Sequence, residues 1–227
     1  MSPKTMNSQR EKPRRVAQKR FKSGVLIALL VLVAVLALGV IFFLNTARGT
    51  PSGNDLAGQY PFQVGNPGPG AQAPEITLPS TAGGTFTLSS LRGKTVLLYF
   101  QEGLTCQPCW DQLTDIQTHQ SALQALGINQ IVSITTDPLA ALKQKVADSG
   151  LAIPVLSDPE LSVSQAYTAN SYGMMGSSRD GHTFVLVGPT GEILWRADYG
   201  GAPKYIMDVP VANLVADIRA GLKARSS

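Results

Sequence analysis

Between Gly24 and Leu44 the chain runs for 21 residues (GVLIALLVLVAVLALGVIFFL) without a charge or a strongly polar side chain. No other feature limits the architecture as much. A helix of that length reaches about 31 Å, close to the hydrocarbon thickness of a bilayer, so the segment is expected to be a single transmembrane helix. A cleaved secretory signal has an apolar core of roughly 7–15 residues and a small-x-small exit. This run is longer and leaves through Asn45-Thr46-Ala47-Arg48, and no cysteine stands near it for lipid attachment.

The charges divide around this span. Eight of the 19 Lys and Arg residues, and only Glu11 of the 15 acidic ones, precede residue 24. The pI of about 9.1 is therefore the property of one tail. The remainder, with eleven basic and fourteen acidic residues, is mildly acidic. That excludes nucleic acid as a partner of the folded part, which would need a basic face for phosphate. Basic residues before the only apolar span place residues 1–23 in the cytoplasm and everything after the span outside, in the cell membrane's extracytoplasmic space. Residues 45–69, rich in Gly, Pro, Asn, Gln and Ser, read as a flexible linker, and residues 70–227 as the folded domain.

Within the domain, Glu75–Leu78 and Thr85–Leu88 flank Gly83-Gly84 as a hairpin. Thr95–Phe100 (TVLLYF) is short and wholly apolar or β-branched, as a central strand covered on both faces should be. A helix is expected from about Cys106 to Leu126, a strand at Ile131–Thr135, a helix at Pro138–Ala147, a strand at Ile153–Leu156 and a short helix at Pro159–Thr168. The strands Thr183–Val187 and Ile193–Asp198 are joined by a Gly-Pro-Thr-Gly turn, and Val211–Ala224 closes the chain as a helix. This order implies a three-layer α/β domain with a mixed central sheet, its core including Leu88, Val96, Leu98, Val132, Phe184, Leu186 and Leu194.

Cys106 and Cys109 are the only cysteines. A structural disulfide gains from closing a long loop, and two cysteines three apart close almost none, so their task is chemistry. A zinc site needs about four ligands, whereas the chain offers two Cys and two His. A strand, a loop, Cys106-Gln107-Pro108-Cys109 and a helix in succession form the thioredoxin arrangement. A cysteine at a helix N-terminus feels unpaired N–H groups and the positive end of the helix dipole, which favour the attacking thiolate. Cys106 is thus the attacking sulfur and Cys109, one turn on, the resolving one. Glu102 on the same loop is a candidate proton acceptor for Cys109, and Trp110 is expected to pack beside the pair. His119 lies on the long helix away from it, and Met174-Met175 belongs to a Gly/Ser/Met loop over 170–182.

From Ala73-Pro74 through LSSLRGKTVLLYFQEGLTCQPCW to the TFVLVGPTGEI strand pair, the chain resembles the redoxin family, which joins AhpC/TSA-type peroxiredoxins and TlpA/ResA-type membrane-anchored thioredoxin-like proteins. The resemblance covers roughly residues 70–225 and implies a thioredoxin fold and thiol–disulfide chemistry, with antioxidant activity among the family's functions. Peroxiredoxins carry Thr or Ser three residues before the reactive cysteine, where this chain has Gly103, and an Arg before the TFVLV strand, where it has Gly181-His182. Arg179 is near but out of register. Thioredoxins place a cis-proline there, and no proline lies between Pro159 and Pro189. His182 also resembles the metal-binding His of Sco-type copper chaperones, whose cysteines are spaced CxxxC.

Three functions follow as expectations. The first is a membrane-anchored thiol–disulfide oxidoreductase without a cofactor, acting on protein thiols and disulfides and recharged by an electron-donating membrane redox partner. The second is a copper-binding protein using Cys106, Cys109 and His182. The third is a thiol peroxidase in which Cys106 attacks peroxide and Cys109 resolves. Under each, His182 either assists Cys106, completes a copper set or fills the position opposite the cysteines.

Overall fold

The computed structural model describes residues 27–40 and 56–226. Residues 27–40 are helical and exposed throughout. Among the described residues no helix is long and apolar enough to cross a membrane. The ends of the expected 24–44 span, the basic tail and the first part of the linker lie outside the described residues.

The second compact unit, within 51–227, is built on a five-stranded sheet. A two-stranded hairpin, β1 (Thr77–Pro79) and β2 (Thr85–Thr87), precedes it, followed by a 3-10 turn at Leu88–Leu91. The sheet strands are β3 (Val96–Phe100), β4 (Gln130–Thr135), β5 (Val155–Ser157), β6 (Thr183–Val187) and β7 (Ile193–Asp198), in the order β5-β4-β3-β6-β7. β3 pairs in parallel with β4 and antiparallel with β6, so the sheet is mixed and β3 is central. The helices are α1 (Gln107–Thr118), α2 (Gln120–Gln124), α3 (Leu139–Asp148), α4 (Ser162–Ala166) and α5 (Val211–Ser226).

The side-chain period of two distributes the strands between two cores. Leu97, Tyr99, Phe184 and Leu186 face one layer, where they meet Trp110, Leu113 and Ile116 of α1 and Leu214 and Ile218 of α5. Val96, Leu98, Phe100, Val185 and Val187 face the other, with Ile76, Leu78, Val163 and Tyr167. The three-layer α/β thioredoxin fold is as expected from the sequence. Of the expected core residues only Leu194 is not fully buried, and it packs against the first cluster.

Two expectations are corrected. The long helix breaks at His119, which ends α1 and precedes α2 with φ −108° and ψ 23°. The hydroxyls of Thr114 and Thr118 donate to Trp110 O and Thr114 O, each four residues back at 2.9 Å, a habit that bends helices. His119 itself pairs with Asp115 at 2.8 Å on the exposed side.

The linker does not extend to residue 69. Phe62 sets its ring against Trp195 and Tyr199, at 6.0 and 5.2 Å between centroids. Gln63 bridges to Asp198 through both backbone groups, and Gly65 N–H donates to Asp198 Oδ2 at 2.6 Å. A Cβ at Gly65 would sit 2.6 Å from Arg196 Nη2, so only glycine allows this approach. The composition of 56–69 is that of a tether, but Tyr60 and Phe62 are enough to dock it on the core. Its anchor is the fully buried Arg196–Asp198 pair, which also holds Pro67 O and Thr183 Oγ1.

Candidate active site

β3 ends at Phe100, and residues 101–105 turn into α1 with Cys106 as its N-cap. Pro108 stands in the first turn, where a missing N–H costs nothing. Cys109 N–H approaches Cys106 Sγ at 3.3 Å, and the two sulfurs are joined in a disulfide with Cα atoms 5.4 Å apart. Cys106 is 7% exposed and Cys109 fully buried. The two cysteines therefore sit where the sequence places them, at the carboxyl end of the central strand.

The loop before Cys106 is held from three sides. Gly103 adopts φ +85°, and a Cβ there would fall 1.7 Å from Asp137 Oδ2. That carboxylate, just past the end of β4, accepts from Leu104 N–H at 2.7 Å and Thr135 Oγ1 at 3.1 Å. Its other oxygen pairs with Arg179 Nη1 at 2.9 Å, and the same nitrogen donates to Glu102 O at 3.0 Å. Trp110 Nε1 donates to Gly103 O at 3.0 Å, so the indole braces the loop, while its ring belongs to the core cluster under the sheet.

Glu102 is buried, and its Oε1 accepts the backbone N–H groups of Met174 and Met175, the latter at 3.1 Å. The expected proton acceptor is thus committed to fastening the 172–180 segment onto the active-site loop. This leaves the side chains of Met174 and Met175 outside, 62% and 48% exposed.

His182 is fully buried at the start of β6, ringed edge-on by Tyr99, Phe184 and Tyr199. Its Nδ1 lies 3.0 Å from Tyr99 Oη, which in turn lies 3.3 Å from the carbonyl oxygen of Cys109. A phenol has one proton. Both contacts are satisfied together when Tyr99 donates to the carbonyl and His182 donates from Nδ1, leaving Nε2 as a buried atom without a partner. Burial lowers the His182 pKa to about 3. Burial raises that of Tyr99, with Asp208 and Glu102 adding to it. Both groups are neutral at pH 7. His182 therefore reaches the reactive pair through Tyr99 and the peptide of Cys109.

The copper set is not assembled. Among the described residues no group of three or more His, Cys, Asp or Glu side chains is placed to hold a metal ion. The imidazole is taken up by the Tyr99 hydroxyl inside an aromatic enclosure, and that is the physical reason.

The His182 environment has a measurable consequence. The unfolded imidazole titrates near 6.5 and the folded one near 3, so between these values the unfolded chain binds a proton that the folded chain refuses. Stability then falls with falling pH, by about 1.4 kcal/mol per unit for this one group. Asp180, whose pKa is raised by burial with Asp158 adding to it, acts in the opposite direction. The His182 contribution is accordingly read as a difference. The stability gap between wild type and His182→Gln should narrow by that amount per unit below pH 6.5 in denaturant titrations. A gap that is constant with pH would mean that His182 is not buried neutral.

Tyr99, Asp137, Arg179 and Met207 are site residues that sequence reasoning missed. Asp137 had one available signal, its position just after a strand beside the central one, where α/β folds build their sites. Arg179 was set aside for its register, and Met207, which clusters with the cysteine pair, carries no signal in the sequence.

Comparison with known proteins agrees with this geometry. The AhpC/TSA family model matches residues 69–196. A Mycobacterium tuberculosis (strain H37Rv) protein named as a peroxiredoxin is 33% identical over 124 residues, covering 52% of this chain and 77% of its own length. The peroxiredoxin Bcp of Haemophilus influenzae is 30% identical over 137 residues, covering 59% and 84%. Among solved structures, the peroxidoxin BcpB of M. tuberculosis superposes with a TM-score of 0.56 at 19% identity, over 67% of this chain and 97% of that one. Enterococcus faecalis AhpC gives 0.58 at 16%, over 70% and 94%. These two show the shared fold. With a cysteine capping the helix after the central strand and a family match across more than half its length, the chain belongs to the AhpC/TSA family of thiol oxidoreductases.

Proposed function

We propose that the protein is a thiol-dependent peroxidase with an intramolecular resolving cysteine. The observation that carries this reading is the Cys106–Cys109 pair at the start of α1 within an AhpC/TSA fold. The Cys106 thiolate attacks the terminal oxygen of a hydroperoxide, the O–O bond breaks, and the alkoxide or hydroxide leaves with a proton as alcohol or water. Cys106 is left as a sulfenic acid. Cys109, one helical turn away, displaces its hydroxyl as water and closes the disulfide, and an external dithiol restores both thiols. Because the sulfurs are neighbours in the folded chain, resolution needs no unfolding of α1.

Thiol–disulfide exchange with protein partners is the second reading, favoured by two observations. Gly103 occupies the place of the family's Thr or Ser, and Arg179 is engaged with Asp137. The test is to add one equivalent of hydroperoxide to the reduced protein and follow thiols, peroxide and mass together. The peroxidase consumes the peroxide within the mixing time and loses two thiols per molecule. An exchange protein leaves the peroxide and instead reduces insulin disulfides. We further propose that residues 24–44 anchor the chain in the cell membrane with the redox domain outside. Protease added to intact spheroplasts should then remove the domain, and full protection until lysis would reverse that topology.

A further inference from the structure

A sulfur pair that must be reduced by a second molecule is here almost closed off, with Cys106 7% exposed and Cys109 not at all. Among the described residues, the one buried apolar side chain that clusters with both is Met207, itself 8% exposed. Met207 lies on the segment between β7 and α5. Both ends of that segment are pinned. Ile206 N–H donates to Tyr199 O at 3.1 Å, Val209 N–H to Gln112 Oε1 at 2.6 Å, and Val211 N–H to Asp115 Oδ2 at 3.0 Å.

The stretch just before Met207, residues 202–205, is exposed and held by two hydrogen bonds, Gln63 Nε2 to Ala202 O at 2.7 Å and Tyr205 N–H to Gly201 O at 3.1 Å, with Tyr205 in the left-handed region at φ +48°. Alongside, a cavity of about 110 Å³ opens between Phe62, Tyr199 and residues 201–204. The backbone on both sides of Met207 is therefore fixed by hydrogen bonds, and any adjustment at this point falls to its side chain. The side chain that clusters with the cysteines is a thioether, the most adaptable of apolar side chains.

We propose that Met207 is the specificity-determining residue for reductants of the Cys106–Cys109 disulfide, admitting small thiols while restraining protein dithiols. The inference rests on the redox reading of that pair. Reduction begins when a thiolate of the dithiol bonds to Cys106 Sγ. The Cys106–Cys109 bond breaks, and its electron pair leaves on Cys109 Sγ, which takes a proton. The reductant's second thiolate then displaces Cys106, so the reductant becomes a disulfide and the pair gains two electrons. With Cys106 only 7% exposed, little of it can be reached by a reductant. A cysteine carried on another protein brings its flanking backbone with it and needs the Met207 cover displaced.

The experiment uses the full chain in detergent, oxidised, and measures second-order rate constants for reduction by dithiothreitol and by reduced thioredoxin as the protein dithiol. Met207→Ala is expected to raise the thioredoxin rate by about tenfold and the dithiothreitol rate by no more than about twofold, a change in specificity rather than in reactivity. Met207→Leu, which keeps the cover, should match wild type with both. Met207→Val gives a graded increase with thioredoxin and keeps the test decisive if Met207→Ala fails to fold. Equal acceleration of both reductants, or none, overturns the proposal, as does Met207→Leu behaving like Met207→Ala. Failure of the functional reading is recognised separately, because wild type would then neither consume peroxide nor reduce insulin, whatever the ratio of its reduction rates.

Discussion

Serine at position 106 should lower hydroperoxide consumption by about 10³-fold or more, the scale on which removing a reacting nucleophile acts. Cys106 is the N-cap of α1 and the more exposed of the two sulfurs. The helix start stabilises negative charge on it. Cys109 lies inside the first turn and is fully buried. The variant Cys109→Ser should therefore behave differently. It retains the first attack, consumes one equivalent of peroxide and stops at a sulfenic acid that a dimedone-type trap captures by mass. Excess peroxide then drives it to the sulfinic acid, since the resolving thiol is gone. If Cys109→Ser lost the first equivalent and Cys106→Ser kept it, the roles would be reversed. If both variants consumed peroxide at the wild-type rate, the peroxidase reading would fall.

The second large effect concerns Gly103. By resemblance to peroxiredoxins a Thr or Ser is expected at this position, so Gly103→Thr would restore the family motif in sequence. The structure predicts damage instead. With φ at +85° a β-branched residue is strained, and its Cβ would have to occupy the space held by Asp137 Oδ2. Displacing that carboxylate would release Leu104 N–H and the Arg179 pair together. Backbone strain plus a broken buried network place the loss at about 3–5 kcal/mol. For a domain of this size that is a fall in Tm of roughly 6–20 °C. Peroxide reactivity should fall with it, because the loop that positions Cys106 is the part disturbed. A Gly103→Thr protein with an unchanged Tm and faster peroxide turnover would refute this account. A second substitution at Asp137 should not rescue stability, since the backbone strain at residue 103 would remain.

The sequence alone determined what depends on local order and on side-chain period. Alternation and apolar runs located β3, β4, β6 and β7, and the spacing of two cysteines after a central strand located the pair and the helix start on which it sits. These signals are contained within a few consecutive residues, so no knowledge of distant partners is needed to read them. Tertiary structure decided everything that depends on what a side chain meets. Glu102 looked like a proton acceptor and became a latch because two N–H groups from residues 174 and 175 converge on it. His182 looked like a ligand and became a neutral, enclosed imidazole because Tyr99 fills the distance to Cys109. Residues 56–69 looked like a tether and became part of the domain because Arg196 and Asp198, far along the chain, offer them a buried ion pair to fasten to. Met207 carried no signal until the fold laid it against the sulfurs. In each case the deciding contact joins residues many positions apart, and such contacts are set by how strands and helices pack rather than by the neighbours a residue has in sequence.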